Sequence, residues 1–493
     1  MKFRKAFLKI VFLLTMAAVV FQPSVSMAER DDVRDNRDFG VRVERLLKSQ
    51  SELYFGIEKP LGKSAPKTTG SYRREYQDAE DQVLLAKGLK VEYLTRNAAN
   101  VTDMMAFFPA ENPTHLITCV EGGRGVIGYK LDFSPKYNPS VQRINLSDGT
   151  VETILRGMNV CDGIRTTPWG TILATEETSD GGAYEILNPL SVTEQTVVNR
   201  ASGDVSDANH IVKRTALPTM AWEGLEVLPS GVVIAGDELR PGTTAPDADG
   251  GAIFKFIPAN IRTGSGNISN LNESPLAAGN VYAMQISCRD DRAQTGQGCE
   301  VGSGTWVQVN AATARYDAHV KGATGYYRPE DLHRDPMFKS PEHPNAVRFC
   351  WTNTGNEDVF NYAEVMCGGD FDPTNPKSTV IVNRFVEGDS DFNSFDNLEF
   401  QPRTGNLYVI EDHENGDIFA CLPNGADRDI KSDGCVKILS VKDSSAEPTG
   451  FIFSEDGTTA YLSIQHSDDG LMPKYDDYPT DDVVRITGFK IHQ

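Results

Sequence analysis

Acidic side chains recur in this chain at a spacing that could gather cations. The stretch Trp222 to Glu238 reads WEGLEVLPSGVVIAGDE, with an acid at Glu223, Leu225 close behind it and Pro229 further on. A Gly turn at Gly231 leads into Val232, Val233 and Ile234, and the run ends in Asp237 and Glu238. Apolar, β-branched residues around a Gly/Pro turn predict a β-hairpin. The phrase recurs from Asp103 to Glu121, from Asp162 to Glu176 and Glu177, from Glu330 through a longer loop to Glu357, and from Asp396 to His413. A frayed copy runs from Glu447 to His466. If each opening acid sits at the same end of an equivalent strand, about six carboxylates meet at one point, and crowded carboxylates repel unless cations neutralise them. The same acids could instead cap turns and accept from backbone N–H groups.

The candidate ligands are Glu121, Cys161, Glu176, Glu177, Glu223, Glu330, Asp396 and Glu447. Carboxylates alone favour hard cations, calcium first outside the cell. A thiolate among them would favour a transition metal such as iron. Cys119 and Cys161 both fall on or beside the repeated phrase. Either they bond to each other, or at least one of them is a thiolate ligand. Arg328 stands two residues before Glu330 in YYRPED. On a strand these positions share a face. A guanidinium beside a metal cluster suits bidentate contact with phosphate or carboxylate, although it could also pair with a neighbouring acid. His413 and His466 end strands of the inner type and read more simply as hydrogen-bonded structural histidines.

These residues need a scaffold that repeats. The copies lie roughly 50 to 65 residues apart, with one larger gap, and hairpin-rich periods of this size predict a propeller. The expected fold is all-β, a six-bladed β-propeller over 76–493 with a loop-rich insertion at about 258–325. Residues 29–75 are charged and rich in Ser, Lys and Pro, and predict a lead-in with one short amphipathic helix around Val41 to Leu53. GRGVIG at Gly123 to Gly128 matches a dinucleotide fingerprint in letters only, because Val126 to Leu131 predicts a strand where that site needs a helix.

Composition narrows the function. The formal net charge is −21 over 493 residues, which argues against nucleic acid as a partner. It would also repel an anionic substrate unless metals invert the local field. Basic residues followed by the apolar run Ile10 to Phe21 and by Ser26-Met27-Ala28 predict a signal peptide over 1–28. The expected product is an exported monomer, periplasmic or secreted, without a membrane anchor once the leader is removed. Export permits disulfides. Short spacings pair Cys288 with Cys299, Cys350 with Cys367 and Cys421 with Cys435, each worth about 2–3 kcal/mol by loop closure.

Asn159-Val-Cys161-Asp-Gly163, followed by Thr167-Pro-Trp-Gly-Thr171 and Glu176-Glu177, resembles the PhoX-type alkaline phosphatases. So do Arg328-Pro-Glu330, Asp396-Asn397 and Glu447-Pro-Thr-Gly450 running on to Gln465-His466. The resemblance covers residues from about 100 to 470. It implies an exported six-bladed propeller that hydrolyses small phosphate monoesters at a calcium and iron site, with one iron bound through a Cys. By position Cys161 matches that Cys. Glu176, Glu223, Glu330, Asp396 and Glu447 match acidic positions. Arg328 matches a phosphate-contacting Arg, and Lys213 is the candidate for a phosphate-binding Lys. Arg328 and Glu330 are then the expected catalytic residues. The chain departs from the family at Cys119-Val120-Glu121, at Trp222, and at Val160, which splits the usual Asn-Cys pair. Two further readings stay open: a calcium-dependent propeller hydrolase of the lactonase or phosphotriesterase kind, and a non-catalytic exported binding propeller.

Overall fold

Runs such as HLITCV and TILATE are buried along nearly their whole length, polar residues included, so each strand is covered on both faces. The computed structural model, which describes residues 39–242, 249–286, 300–423, 434–467 and 469–491, shows how. Each repeat is a four-stranded antiparallel meander, and neighbouring meanders stack face to face around an axis. The first blade is built from Thr102–Phe108, His115–Val120, Pro139–Asn145 and Val151–Arg156. The second uses Cys161–Thr166, Thr171–Glu176, Ala183–Leu187 and Ile211–Lys213. The third uses Trp222–Val227, Val233–Asp237, Ile253–Pro258 and Gly279–Gln285, and the fourth Pro329–Arg334, Val347–Asn353, Glu364–Asp370 and Val380–Glu387. The fifth uses Phe395–Phe400, Leu407–Glu411, Asp417–Cys421 and Cys435–Val441.

The sixth blade closes the ring. Glu447–Phe453, Thr459–Gln465 and Thr480–Thr487 come from the C-terminal end, and Lys90–Ala99 supplies the outer strand by pairing with Thr480–Thr487. Each innermost strand contacts the next, and the sixth contacts the first. An apolar core separates every neighbouring pair of blades. The fold is therefore an all-β six-bladed propeller, fastened by a strand from the opposite end of the chain.

The remaining segments decorate this ring. The amphipathic stretch near the N-terminal side forms two helices, Phe39–Ser49 and Ser51–Phe55, and Leu47 and Phe55 pack into the core between blades five and six. Within the expected insertion, Gly279–Gln285 completes blade three, and Gly302–Val309 extends its sheet to meet the outer strand of blade four. The short helix Ala314–Lys321 follows. Disulfides join Cys350 to Cys367 and Cys421 to Cys435 across paired strands. The expected Cys288–Cys299 bridge and the leader lie outside the described residues. Among the described residues, no helix is long and apolar enough to cross a membrane.

Candidate active site

The inner strand of every blade carries a β-bulge, and in the first five it directly follows the strand's first residue. In blade three, Trp222 pairs with Asp237 and Leu225 with Ala235, so the inner strand holds one residue more than its partner. The extra residue falls at Glu223-Gly224. A bulge interrupts the alternation of a strand and re-aims a side chain. Here it turns the acid toward the axis. The bulges of the other blades contain Asp103, Asp162, Glu330 and Asp396. Glycine follows two of these acids because neighbouring inner strands touch there. A Cβ at Gly224 would lie 1.8 Å from the Leu332 nitrogen, and one at Gly163 would lie 2.0 Å from the Glu223 carbonyl oxygen.

The sixth blade departs from the pattern. Its bulge contains Gly450, at φ +59, and a Cβ there would lie 2.4 Å from the Asp103 carbonyl oxygen. Glu447 stands three residues earlier and reaches the cavity from the start of the strand. The Thr449 hydroxyl donates to Asp103.

A cavity of about 140 Å³ opens at this end of the axis, lined by Asp103, Glu121, Asp162, Glu177, Glu223, Glu330, Asp396, Asp412, Glu447, Arg328, Gln465 and His466. Carboxylate oxygens come within 4.8 Å of one another in three overlapping groups: Asp103, Glu121 and Asp162; Asp162, Glu177 and Glu223; and Glu223, Glu330 and Asp396. Asp162 and Glu223 are the shared members. Among the described residues lining the cavity, Arg328 is the sole guanidinium or ammonium. It lies 3.2 Å from Glu330 and 3.7 Å from Asp412, and its Nε donates to Glu238. Its backbone sits at φ +55, which a non-glycine residue adopts only under constraint. Two backbone bonds hold it there: Arg328 N–H donates to the Leu239 carbonyl at 3.4 Å, and Thr354 N–H donates to the Arg328 carbonyl at 3.2 Å.

So many buried acids cannot all stay charged without cations. Burial pushes Asp103 up to about 6, and Glu177 and Glu447 up to about 7. Burial and then mutual repulsion hold Asp162, Glu223 and Asp396 well above the usual carboxylate range. Burial raises Glu121 and Glu330 in the same way. The opposite holds at Arg328, where burial works against the charge but Glu330, Glu238 and Asp412 outweigh it and raise the pKa.

Several expected site residues lie elsewhere. Glu176 points away from the axis and is consumed by Arg200, at 2.6 Å, and by the Asn159 and Gly182 N–H groups. Its neighbour Glu177 lines the cavity in its place. Cys161 is no thiolate ligand, because its sulfur is bonded to Cys119. Lys213 belongs to the outer strand of blade two, where its ammonium donates to the Arg200 carbonyl at 2.7 Å and lies over the Tyr184 ring. The structure does bring together Glu121, Glu177, Glu223, Arg328, Glu330, Asp396 and Glu447. Asp103 and Asp162 join them, although neither was singled out as a ligand. Both open copies of the repeated phrase, which was the signal for them. Asp412 and Gln465 stand beside the last residues of their copies. Thr354, whose hydroxyl donates to Glu330, carried no signal in the sequence.

The comparisons with known proteins fall on this same span. The family model described as "Alkaline phosphatase PhoX" matches residues 139–468. The chain belongs to the PhoX alkaline phosphatase family. Its fold is similar to Pseudomonas fluorescens PhoX, solved in complex with vanadate, a transition state analogue, at 16% identity and a TM-score of 0.57, covering 87% of this chain and 98% of that one. A putative gluconolactonase aligns more loosely, at 11% identity and a TM-score of 0.39, covering 85% of this chain and 97% of that one. The PQQ-bound aldose sugar dehydrogenase from Streptomyces coelicolor does so at 11% identity and 0.38, covering 81% and 98%. No curated protein sequence matches this chain.

Proposed function

We propose that this member of the family is an exported phosphomonoesterase whose cavity holds calcium. The observation that carries the reading is the meeting of Asp103, Asp162, Glu223, Glu330 and Asp396 around one cavity, with Arg328 beside them. Asp162 is 3% exposed, its Oδ1 has no hydrogen-bond partner, and it belongs to two of the three carboxylate groups. A buried, unpartnered carboxylate oxygen among other carboxylates suits a hard cation with oxygen ligands. Calcium fits, held by Asp103, Glu121 and Asp162, by Asp162, Glu177 and Glu223, and by Glu223, Glu330 and Asp396. Thiolate-bound iron does not fit, because the Cys161 sulfur is committed to Cys119.

When bound, such cations supply positive charge for the phosphoryl oxygens and lower the pKa of an attacking water. The chain's own residues do the rest. Arg328 offers a fork of N–H donors to the phosphoryl oxygens and is held by Glu238 and Glu330, so it is oriented before substrate arrives. Thr354 fixes Glu330 by donating to it. Thr449 and Gln465 do the same for Asp103, Gln465 at 3.1 Å, and Gln465 also donates to Glu121. The acidic wall repels a phosphate ester until cations are in place, which makes metal loading a precondition for binding.

Hydrolysis of a generic aryl phosphate by the purified protein tests this reading. Turnover should vanish with a chelator and return with calcium, elemental analysis should find calcium without iron, and Glu330→Gln should lose activity. A calcium-replete protein with no turnover, or a fully active Glu330→Gln variant, would reject it. Export is part of the proposal and rests on the leader pattern at 1–28 and on the three disulfides described.

A further inference from the structure

We propose that Arg315 is a positioning residue for Arg328, acting through Asp237 and Glu238. The idea rests on the phosphoryl-binding role given to Arg328 above. Arg315 lies in the helix Ala314–Lys321, which the chain reaches through the long excursion that follows blade three. Ala314 and Ala318 pack that helix into the core shared by blades two and three, so Arg315 leaves a fixed platform. Its side chain is 9% exposed and that of Asp237 1%. The Arg315 Nε lies 2.9 Å from both Asp237 oxygens, and an Nη2 donates to Asp237 as well. A guanidinium fork engaging both oxygens fixes direction as well as distance.

Asp237 is where two elements of the site are tied together. Its Oδ1 accepts from the Ala221 N–H at 3.1 Å, and Glu238 N–H donates to the Ala221 carbonyl at 3.0 Å. Ala221 directly precedes the inner strand that carries Glu223. The next two residues hold Arg328: Glu238 accepts from its Nε, and the Leu239 carbonyl accepts from its backbone N–H. Arg328 itself sits in a left-handed backbone conformation that its surroundings must enforce. Removing Arg315 leaves Asp237 buried without its cation and loosens the segment that sets both the guanidinium and the backbone of Arg328. Arg315 touches neither the cavity nor any candidate ligand.

A double-mutant cycle separates positioning from general support of the fold. Arg315→Ala, Arg328→Ala and the double variant are compared with the unaltered protein, all calcium-loaded, by kcat/KM on an aryl phosphate and by calorimetric binding of inorganic phosphate. Arg315→Ala should lower kcat/KM by about 10- to 100-fold, the scale of a misplaced binding group. In the Arg328→Ala background it should change kcat/KM and phosphate affinity less than about twofold, as coupling through one residue requires. Arg315→Lys keeps the charge on Asp237 without the fork and should recover part of the loss. Equal losses in both backgrounds would overturn the proposal, as would an Arg315→Ala protein with unchanged phosphate affinity and kcat/KM. If Arg315→Ala fails to fold, Arg315→Lys takes its place in the cycle with the same two outcomes. An unaltered protein that binds phosphate without turning over the ester would remove the phosphatase reading, while the cycle in phosphate affinity still decides the role of Arg315. Failure of both turnover and phosphate binding overturns both.

Discussion

Glu330 and Asp331 are neighbours in one bulge, both almost fully buried, and their pKa values are pushed in opposite directions. Glu330 faces the cavity, and its pKa is held well above the usual carboxylate range. Asp331 faces a second layer of the channel and is held down at about 2, because His333 and Arg165 outweigh its burial. Arg165 lies 2.9 Å from Asp331, His333 lies 3.0 Å from both Asp331 and Glu399, and Leu398 N–H adds a bond at 3.3 Å. In the cavity one guanidinium serves many acids. His466 stands beside Glu447 there as well, at 3.1 Å. In the second layer Arg165 and His333 hold Asp331 down, while burial still pushes Glu399 up to about 7. Burial is common to Glu330 and Asp331, so the balance of nearby cations and acids decides which way each pKa moves. Asp331 is neutralised by its own neighbours, whereas the cavity is left short of positive charge, and that deficit is what the proposed calcium would fill.

The sharpest break of this contrast is Asp162→Asn. Asp162 belongs to two of the three carboxylate groups. The variant should lose calcium affinity and about 10²- to 10³-fold in turnover, the usual cost of removing one electrostatic element of a catalytic centre. Its metal-free form should be no less stable than that of the unaltered protein, since a repelling charge has gone. Calcium titration calorimetry and an aryl phosphate assay read this out, and unaltered calcium binding would sink the contrast. Asp331→Ala probes the other side. It strips the buried partner from Arg165 and His333, which should cost roughly 3–5 kcal/mol of stability. Urea unfolding measures this, and a loss under 1 kcal/mol, on the order of a surface pair, would place the second layer among incidental contacts.

Acidity offers a gentler probe. Glu177 and Glu447 have folded pKa values of about 7 against an ordinary value of 4.5. A carboxylate raised on folding adds stability while both states are protonated and loses it as pH rises through the folded value. Metal-free protein should therefore gain thermal stability as pH falls from about 7 toward 5, and saturating calcium should flatten that slope. A metal-free melting temperature that falls over the same window would contradict the assignment.

Repetition makes most of this legible in the sequence. An acid followed six residues later by a proline marks the inner strands of the first five blades, and a frayed copy marks the sixth. The copies also led to the expectation that the opening acids converge, which reached Asp103 and Asp162 even though neither was chosen as a ligand. Repetition could not show where the pattern slips. Glu447 looks like another opening acid, yet the bulge of blade six holds Gly450, because Asp103 and its backbone press against that point. Lys213 falls outside the site for a related reason. Its reach depends on which strand of the blade it occupies, and that is the outermost. The choice between a disulfide and a thiolate at Cys161 turned on how two neighbouring blades align, which no local pattern carries.

The finest version of the contrast lies within two consecutive residues. Glu176 ends a strand and Glu177 follows it with the opposite orientation, and nothing in the letters Glu-Glu separates them. Glu176 turns into the blade, where Arg200 lies 2.6 Å away and two backbone N–H groups complete its bonds. Glu177 turns to the cavity and meets Glu121 and Asp162. Glu176→Gln keeps the shape but takes the charge from Arg200, so it should lower stability by about 1–3 kcal/mol while calcium affinity stays within about twofold, as expected of a site it does not line. Glu177→Gln should do the reverse, weakening calcium while leaving metal-free stability unchanged or improved. Chemical unfolding and calcium calorimetry on the two variants decide it. If both variants lose calcium equally, the strand end behaves as one acidic unit, and the division between a self-neutralised interior and a cation-seeking cavity would have to be drawn one residue further out.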